Sequence, residues 1–246
     1  MKISVITAVY NRQNTIARAL LSIKEQTYKN VEIIVVDGSS SDGTQEVVKS
    51  VIGDGDIFIT EADNGIYDAL NKGILAATGD IICFLHSDDL YEDKHCLSTV
   101  AHSFNKEIDV VYGNVSFFHQ KDFNKVVRVY RSNKLTIRNL SWGKMPAHPA
   151  IFIRRDVYSA LGSFKTDYRI AADYEFLCRM MTSMNCKSVY IPNFIVRMQM
   201  GGISTGGVRN TLLLNKEVLR ACRDNGLKTN MLMLLSKYPS KLLQFF

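Results

Sequence analysis

Residues Ile81-Ile82-Cys83-Phe84-Leu85-His86-Ser87-Asp88-Asp89 run from a continuous apolar stretch straight into two adjacent carboxylates. An apolar run of this length, opened by Gly79-Asp80, reads as a strand covered on both faces in a parallel sheet. In open α/β sheets ligands bind outside the carboxyl ends of the strands, so the acidic tip falls where a ligand is expected. Two neighbouring carboxylates raise each other's pKa unless a cation or hydrogen-bond donors hold them ionised. A hard divalent metal with oxygen ligands, clamping a diphosphate, satisfies that need. A second reading stands beside this one: Asp89-Leu90-Tyr91-Glu92 also fits a capping box that opens a helix, although a cap needs only one Asp.

At 246 residues and 46% hydrophobic content, the chain can bury a sizeable core as one large α/β domain with a C-terminal extension. Met1 to Thr7 enters a strand-like run directly, without a signal-peptide pattern, and no apolar run reaches transmembrane length. Cys83, Cys96, Cys178, Cys186 and Cys222 are odd in number and lack CxxC spacing, which favours reduced core thiols over disulfides or a zinc site and a cytoplasmic location. The net charge of +6 hides an asymmetry: residues 1–127 carry 11 Lys+Arg against 18 Asp+Glu, residues 128–246 carry 19 against 6, giving −7 and +13. A basic second half suits phosphates, of a nucleotide, a nucleic acid or an anionic membrane, or is simply a solvated face.

Ile3 to Val9 predicts a first strand, and Ile16, Leu20 and Ile23 mark one face of a helix to about Gln26. Val31 to Val36 is a second strand, followed by the loop Asp37-Gly38-Ser39-Ser40-Ser41-Asp42-Gly43-Thr44 and a helix over Gln45–Ile52. Ile57 to Thr60 is a third strand, and Tyr67, Leu70, Ile74 and Ala77 lie on a helix closed by Gly79. Alternation of this kind argues for a parallel sheet with right-handed crossovers, whose rim gathers Thr7, Asp37, Asp63, Asp88 and Asp89. The turn after the first strand, Ala8 to Gln13, has no Gly-x-Gly-x-x-Gly, and no Walker A sequence is present. Dinucleotide and P-loop sites are therefore excluded.

Thr7-Ala8-Val9-Tyr10-Asn11, Val35 to Thr44, Asp63 to Gly73 and Ser87-Asp88-Asp89 together resemble, in order and spacing, the motifs of the family 2 glycosyltransferases. The resemblance implies the nucleotide-sugar GT-A fold, an α/β architecture with a mostly parallel central sheet flanked by helices. It implies a nucleotide-sugar site formed by Thr7, Ala8, Tyr10 and Asn11 of the first motif, with Thr7 and Asp37 at the nucleobase. Asp63 and Lys72 are expected near the ribose and diphosphate, Asp88 near the ribose, and Asp89 as ligand to Mn²⁺ or Mg²⁺.

Beyond residue 90 a helix is expected from Tyr91 to Phe104, strands near Val110–Phe118 and Val126–Tyr130, and an extended segment from Trp142 to Ile153. Met145 to Ile153 resembles a segment after the acceptor region in bacterial polysaccharide members of the family. His148 is placed near the metal or phosphates, or is a structural residue before a proline; His86 is unassigned. Asp173 opens a helix whose Tyr174, Leu177, Met180 and Met181 form a core stripe, either as an ordinary N-cap or as the family's catalytic base, here preceded by Ala172. Glu175 points to a different helix face. Gly201-Gly202-Ile203-Ser204-Thr205-Gly206-Gly207 reads as a loop that closes over a diphosphate or as a plain connector, followed by a helix over Leu212–Arg223.

These readings describe one GT-A domain over 1–228, with a nucleotide-sugar half (1–104) and an acceptor half (105–228), and an apolar, basic tail over 229–246. The expected activity is metal-dependent, inverting transfer from a nucleoside-diphosphate sugar to a glycan or lipid-linked acceptor in surface polysaccharide synthesis. A sugar nucleotidyltransferase, which would need a Gly-rich phosphate loop, and a non-catalytic nucleotide-sugar-binding protein are the alternatives. Nucleic acid is not an expected partner. The tail either contacts the inner face of the plasma membrane peripherally, packs on the sheet, or joins a second subunit in a homodimer.

Overall fold

The computed structural model describes residues 1–132, 134–201, 207–236 and 238. Its first half alternates as the sequence predicts: β1 (Ile3–Val9), α1 (Ile16–Lys24), β2 (Val31–Asp37), α2 (Thr44–Val51), β3 (Ile57–Thr60), α3 (Ile66–Ala76) and β4 (Ile81–Phe84). These four strands lie parallel in the order β3-β2-β1-β4, with Thr7 beside Val35, Val9 beside Asp37, and Ile6 beside Phe84. The helices follow from their apolar spacing. Ile16, Ala19, Leu20 and Ile23 form the buried face of α1, and Tyr67, Leu70, Gly73 and Ile74 belong to that of α3. Gly73 is required there: a Cβ would sit 2.4 Å from Ile6 Cγ2, so only glycine lets α3 lie this close to β1.

The second half adds β5 (Leu90–Tyr91), α4 (Cys96–Ser103), β6 (Val110–His119), β7 (Asp122–Tyr130), α5 (Ile137–Ser141), β8 (Ile151–Arg154), α6 (Arg155–Leu161), α7 (Ala172–Ser183), β9 (Ser188–Gln199), α8 (Val208–Asp224) and α9 (Met231–Leu235). Antiparallel β8 joins β4 to β6, which pairs parallel with β9 and antiparallel with the β7 hairpin arm. The sheet is therefore parallel through the first half and mixed beyond it. One face is covered by α3, α6, α7 and α8. The other is covered by α1, α2 and α4.

Several boundaries differ from expectation. The helix expected from Tyr91 begins at Cys96, because Leu90 and Tyr91 pair with Arg197 and Val196 of β9 instead. The capping box does not form, since Glu92 accepts from Ser116 Oγ and pairs with Arg197, each at 2.5 Å. The segment expected to be extended from Trp142 becomes strand only at Ile151, after a 3₁₀ turn over His148–Ala150 that holds Pro149. Helix α8 starts at Val208, four residues earlier than the apolar pattern suggests. The five cysteines form no disulfide among the described residues, and four of them are buried.

Buried Glu32 ties the base of the sheet together. It accepts from Ser4 Oγ, Thr78 Oγ1 and the backbone N–H groups of Thr78 and Gly79 at 2.5–3.0 Å, and pairs with Lys2 at 2.5 Å. Burial alone would raise its pKa, but Lys2 and the donors of Ser4 and Thr78 bring it down to about 2.

Candidate active site

The carboxyl ends of β1 and β2 carry two buried polar groups without partners. Thr7 Oγ1 and Asp37 Oδ1 make no hydrogen bond, although both residues are fully buried. Parallel register puts Thr7, Val9, Val35 and Asp37 on one face of the sheet and Ala8, partly buried, on the other. A buried hydroxyl and a buried carboxylate oxygen left unpaired are costly unless a ligand completes them. Asp37 Oδ2 accepts from the backbone N–H of Ser40 at 3.0 Å. Asn11 stitches the β1–α1 and β2–α2 loops together, donating its backbone N–H to Ser40 Oγ and accepting from the backbone N–H of Ser41. Asn11 (φ 50°) and Ser39 (φ 62°) both sit in the left-handed region, an uncommon conformation that clusters at functional loops.

Tyr10 is exposed, and its ring lies beside Gly38 and the Asp63 carboxylate. A Cβ on Gly38 would fall 2.4 Å from Asp63 Oδ2. Asp63 Oδ1 accepts the backbone N–H of Gly65 at the entry to α3. Lys72 is held at the loop before α3. Its ammonium bonds the Ala62 carbonyl at 2.9 Å and pairs with Glu61 at 3.0 Å and Asp68 at 3.5 Å, fastening the loop before α3.

At the β4 tip the chain turns so that the backbone N–H of Asp89 bonds the His86 carbonyl. Asp88 is half-buried, whereas Asp89 is 3% exposed and accepts only the backbone N–H of Gln199, at 2.9 Å, in the hydrogen bonds described. Burial, then the neighbouring Asp88, pushes the Asp89 carboxyl well above the carboxylate range. No cation is among the groups that shift Asp89, although the Arg18 guanidinium lies within the field of Asp88, and the carboxylate fits a metal ion. Among the described residues no group of three or more His, Cys, Asp or Glu could hold a metal alone. Asp89 would therefore share an ion with oxygens of a bound diphosphate and with water, as Mg²⁺ and related ions do at phosphate sites.

Opposite this tip stands Asp173, half-buried in the first turn of α7. The N-cap is Ala171, so Asp173 is not a capping residue. Burial raises its pKa, partly offset by the backbone N–H of Tyr174, the Tyr67 hydroxyl and His86. Burial, with His148 nearby, brings the pKa of His86 to about 4, and the charges of Asp88 and Asp173 act against that lowering. His148 stacks on Phe84 at 5.0 Å between ring centres and lies 6.0 Å from His86. Its Nε2 is buried and unpartnered, and burial lowers its pKa to about 4, so the ring is neutral. A small cavity lined by Phe84, His148, Phe164 and Asp173 among others separates these groups. Glu175 serves elsewhere: it is fully buried and pairs with Lys165 at 2.8 Å and Arg179 at 3.1 Å.

Three contributors were not evident from sequence. Tyr67 of α3 reaches Asp173 at 3.1 Å. Glu217 of α8 accepts three consecutive backbone N–H groups, from Arg169, Ile170 and Ala171, at 2.8–2.9 Å, fixing the approach to α7. Lys134, Arg138, Trp142 and Lys144 line an open groove with Thr136 and Asn139, and Trp142 is 38% exposed. Tyr174, adjacent to Asp173, donates its hydroxyl to the Leu140 carbonyl of α5, linking that groove to α7. The glycine-rich loop retains only Gly201 and Gly207 among the described residues, so its proposed closure lies outside them.

A family model described as Glycosyl transferase family 2 matches residues 4–162. A PGL/p-HBAD biosynthesis glycosyltransferase of Mycobacterium tuberculosis is 29% identical over 222 residues, covering 88% of this chain and 82% of that protein. Among solved structures, S. aureus TarS 1-349 in complex with UDP-GlcNAc superimposes with a TM-score of 0.70 at 18% identity, over 90% of this chain and 66% of that one. The mannosyltransferase PcManGT from Pyrobaculum calidifontis, in complex with GDP-Man and Mn²⁺, gives 0.65 at 22% identity, over 89% and 64%. The chain thus spans about two thirds of these two structures, whose likeness is one of fold.

Proposed function

This chain belongs to glycosyl transferase family 2, and from that premise we propose that it moves a sugar, with inversion, from a nucleoside-diphosphate donor to a glycan or lipid-linked acceptor. The observation that carries the reading is the cluster at the β4 tip, where His86 lies 6.0 Å from His148, His148 and Asp173 line one cavity, and His86 feels the charges of both Asp88 and Asp173. That cluster supports a site in which the β4-tip carboxylates and a separate carboxylate act together, an arrangement that suits a single displacement.

In this reading Thr7 and Asp37 complete their unpaired atoms on the nucleobase, Tyr10 and Asn11 border it, and Asp63 and Asp88 face the ribose. Lys72 acts by holding the Asp63 loop. Asp89 would hold Mn²⁺ or Mg²⁺, which when bound offsets charge on the departing diphosphate. Asp173 takes the proton of the acceptor hydroxyl. The acceptor oxygen then bonds to the anomeric carbon while the carbon–oxygen bond to the diphosphate breaks, its electron pair leaving with the nucleoside diphosphate. Neutral His148 and the surrounding aromatic rings keep water from Asp173. The groove at Trp142 offers an indole face and three cations to the acceptor, which suits a sugar bearing phosphate or a lipid-linked diphosphate.

The reading includes a role in surface polysaccharide synthesis at the inner face of the plasma membrane; the mycobacterial relative is named for PGL/p-HBAD biosynthesis. No helix among the described residues is long and apolar enough to cross a membrane. Turnover of a panel of nucleotide sugars, with and without Mn²⁺, tests the proposal. Release of nucleoside diphosphate from at least one, dependent on the metal, supports it. No release from any of them, with acceptor extracts supplied, overturns it.

A further inference from the structure

We infer that Tyr67 is a positioning residue for Asp173, its hydroxyl holding the ionised carboxylate and turning to a fixed backbone carbonyl when that carboxylate takes up a proton. The inference rests on the proposed role of Asp173 as base for its functional meaning, while the contact itself stands on geometry alone.

The Tyr67 hydroxyl lies 2.7 Å from the carbonyl oxygen of Ile170 and 3.1 Å from Oδ1 of Asp173. A phenol has one proton and can satisfy one of these acceptors at a time. The competing carbonyl does not drift, because the peptides around it are pinned: Glu217 accepts the backbone N–H groups of Arg169, Ile170 and Ala171. Nor does the ring, which is 8% exposed and packs on Phe164 with centroids 5.6 Å apart. The hydroxyl is therefore a rotor between two fixed acceptors.

Each protonation state of Asp173 has a hydrogen-bonded arrangement with Tyr67. When the carboxylate is ionised, Tyr67 donates to it. When it has taken the acceptor's proton, the acid O–H donates to the Tyr67 oxygen and Tyr67 donates to Ile170. Asp173 keeps Tyr67 as a partner in either state; in the ionised state the Ile170 carbonyl gives up the Tyr67 donor, and the stronger bond to the charged carboxylate offsets that loss. The bond to the charged form also counters the burial that raises the Asp173 pKa. The other titratable groups facing Asp173 are His86 at the β4 tip, His148 before β8 and Tyr158 of α6, which lines the same cavity. Among the described residues His148 Nε2 and the Tyr158 hydroxyl are without hydrogen-bond partners, and His86 acts on Asp173 through its field. Tyr67 thus gives the carboxylate its side-chain donor among the described residues, and it comes from the donor half of the molecule, so α3 meets α7 at Asp173 while α8 holds the segment before it.

The test is the titration of the Asp173 carboxyl, followed by ¹³C NMR and assigned with Asp173→Asn, in the wild type and in Tyr67→Phe. Phenylalanine keeps the ring against Phe164 and removes only the donor. The midpoint should rise by about one pH unit, the scale of a hydrogen bond to a charged group, and the acid limb of turnover should rise with it while donor Kd is unchanged. A midpoint that stays put in the folded variant overturns the inference. Should Tyr67→Phe fail to fold, difluorotyrosine at position 67, a stronger donor of the same shape, should lower the midpoint; an unmoved midpoint overturns the inference equally. A midpoint that moves while Asp173→Asn retains full turnover supports the contact and overturns the base assignment, so the two failures are told apart.

Discussion

The Asp89 carboxylate, 3% exposed, is joined to the end of β9 by the backbone N–H of Gln199 at 2.9 Å. The tip of β4 and the end of a strand more than a hundred residues away are thereby fixed to each other. One weak donor does not neutralise a buried carboxylate beside Asp88, which is why the site calls for a cation and a diphosphate together. Asp89→Asn keeps the acceptor for Gln199 but removes the charge. Calorimetry should show nucleoside-diphosphate binding that no longer strengthens when Mn²⁺ is added, with an unchanged far-UV spectrum. Full Mn²⁺-dependent enhancement in the variant would remove Asp89 from the metal site.

Glu175 is the carboxylate that structure and chemistry separate most clearly from Asp173, two residues away. Buried between Lys165, Arg179 and Asn225, it titrates below its usual range: burial would raise it, and the Arg179 and Lys165 bonds outweigh that. Glu175→Gln should lower stability by about 3 kcal/mol, the scale of breaking a buried ion pair, and leave the turnover of the folded fraction near wild type. Urea unfolding with an activity assay on the same samples decides it. An inactive but fully stable variant would move the base from Asp173 to Glu175.

The first hundred residues were legible because their parallel strands are buried on both faces and read as continuous apolar runs, and because the loops between them carry Asp, Gly and Ser in a rare order. Legibility failed where one residue had two uses. Glu92 looked like a capping residue and serves as a cross-sheet ion pair with Arg197, a long-range contact that local pattern does not reveal. The contacts of Lys72 with oxygens of residues 61, 62 and 68 were likewise not legible from the motif that the resemblance associates with the ribose and diphosphate. Tyr67 sat in plain view as a core residue of an amphipathic helix; only the tertiary fold shows that its hydroxyl ends at Asp173. Glu217 gave no signal at all, since an acidic residue on an exposed-looking helix carries no mark of the three backbone donors it meets.

Glu32 gives the fold a defined acid sensitivity. Its folded pKa of about 2 lies below that of an unfolded glutamate near 4.5. The unfolded state therefore binds the proton more readily, so the stability Glu32 contributes is complete above about pH 4.5 and is lost as pH falls towards 2. Glu32→Gln should cost about 1–2 kcal/mol at neutral pH, given partly exposed Lys2 as partner, and should flatten the stability curve between pH 4.5 and 2. Unfolding midpoints across that window, equal in slope for both proteins, would exclude this role.

The C-terminal extension divides at its first helix. Leu234 is fully buried against the α7 and α8 core and Thr229 bonds the Ser141 carbonyl, whereas Leu232 is 81% exposed. Residues 237 and 239–246 lie outside the described structure. Truncation after residue 236 should preserve nucleotide binding and weaken adsorption to anionic vesicles, while truncation after residue 228 should destabilise the protein by removing Leu234. Vesicle sedimentation at two salt concentrations, with equal binding by the full chain and the shorter truncation, would count against a membrane role for the last ten residues.

The central claim is that Asp173 takes the acceptor's proton in a single displacement at a donor site it does not help to build. Its most direct test is the Asp173→Asn variant, compared with wild type for turnover, for donor affinity and for the anomeric configuration of the wild-type product. Donor affinity should be nearly unchanged, turnover should fall roughly 10²-fold or more, and the product should carry the configuration opposite to that of the donor. Wild-type turnover in the variant, or a product that retains the donor's configuration, would contradict it.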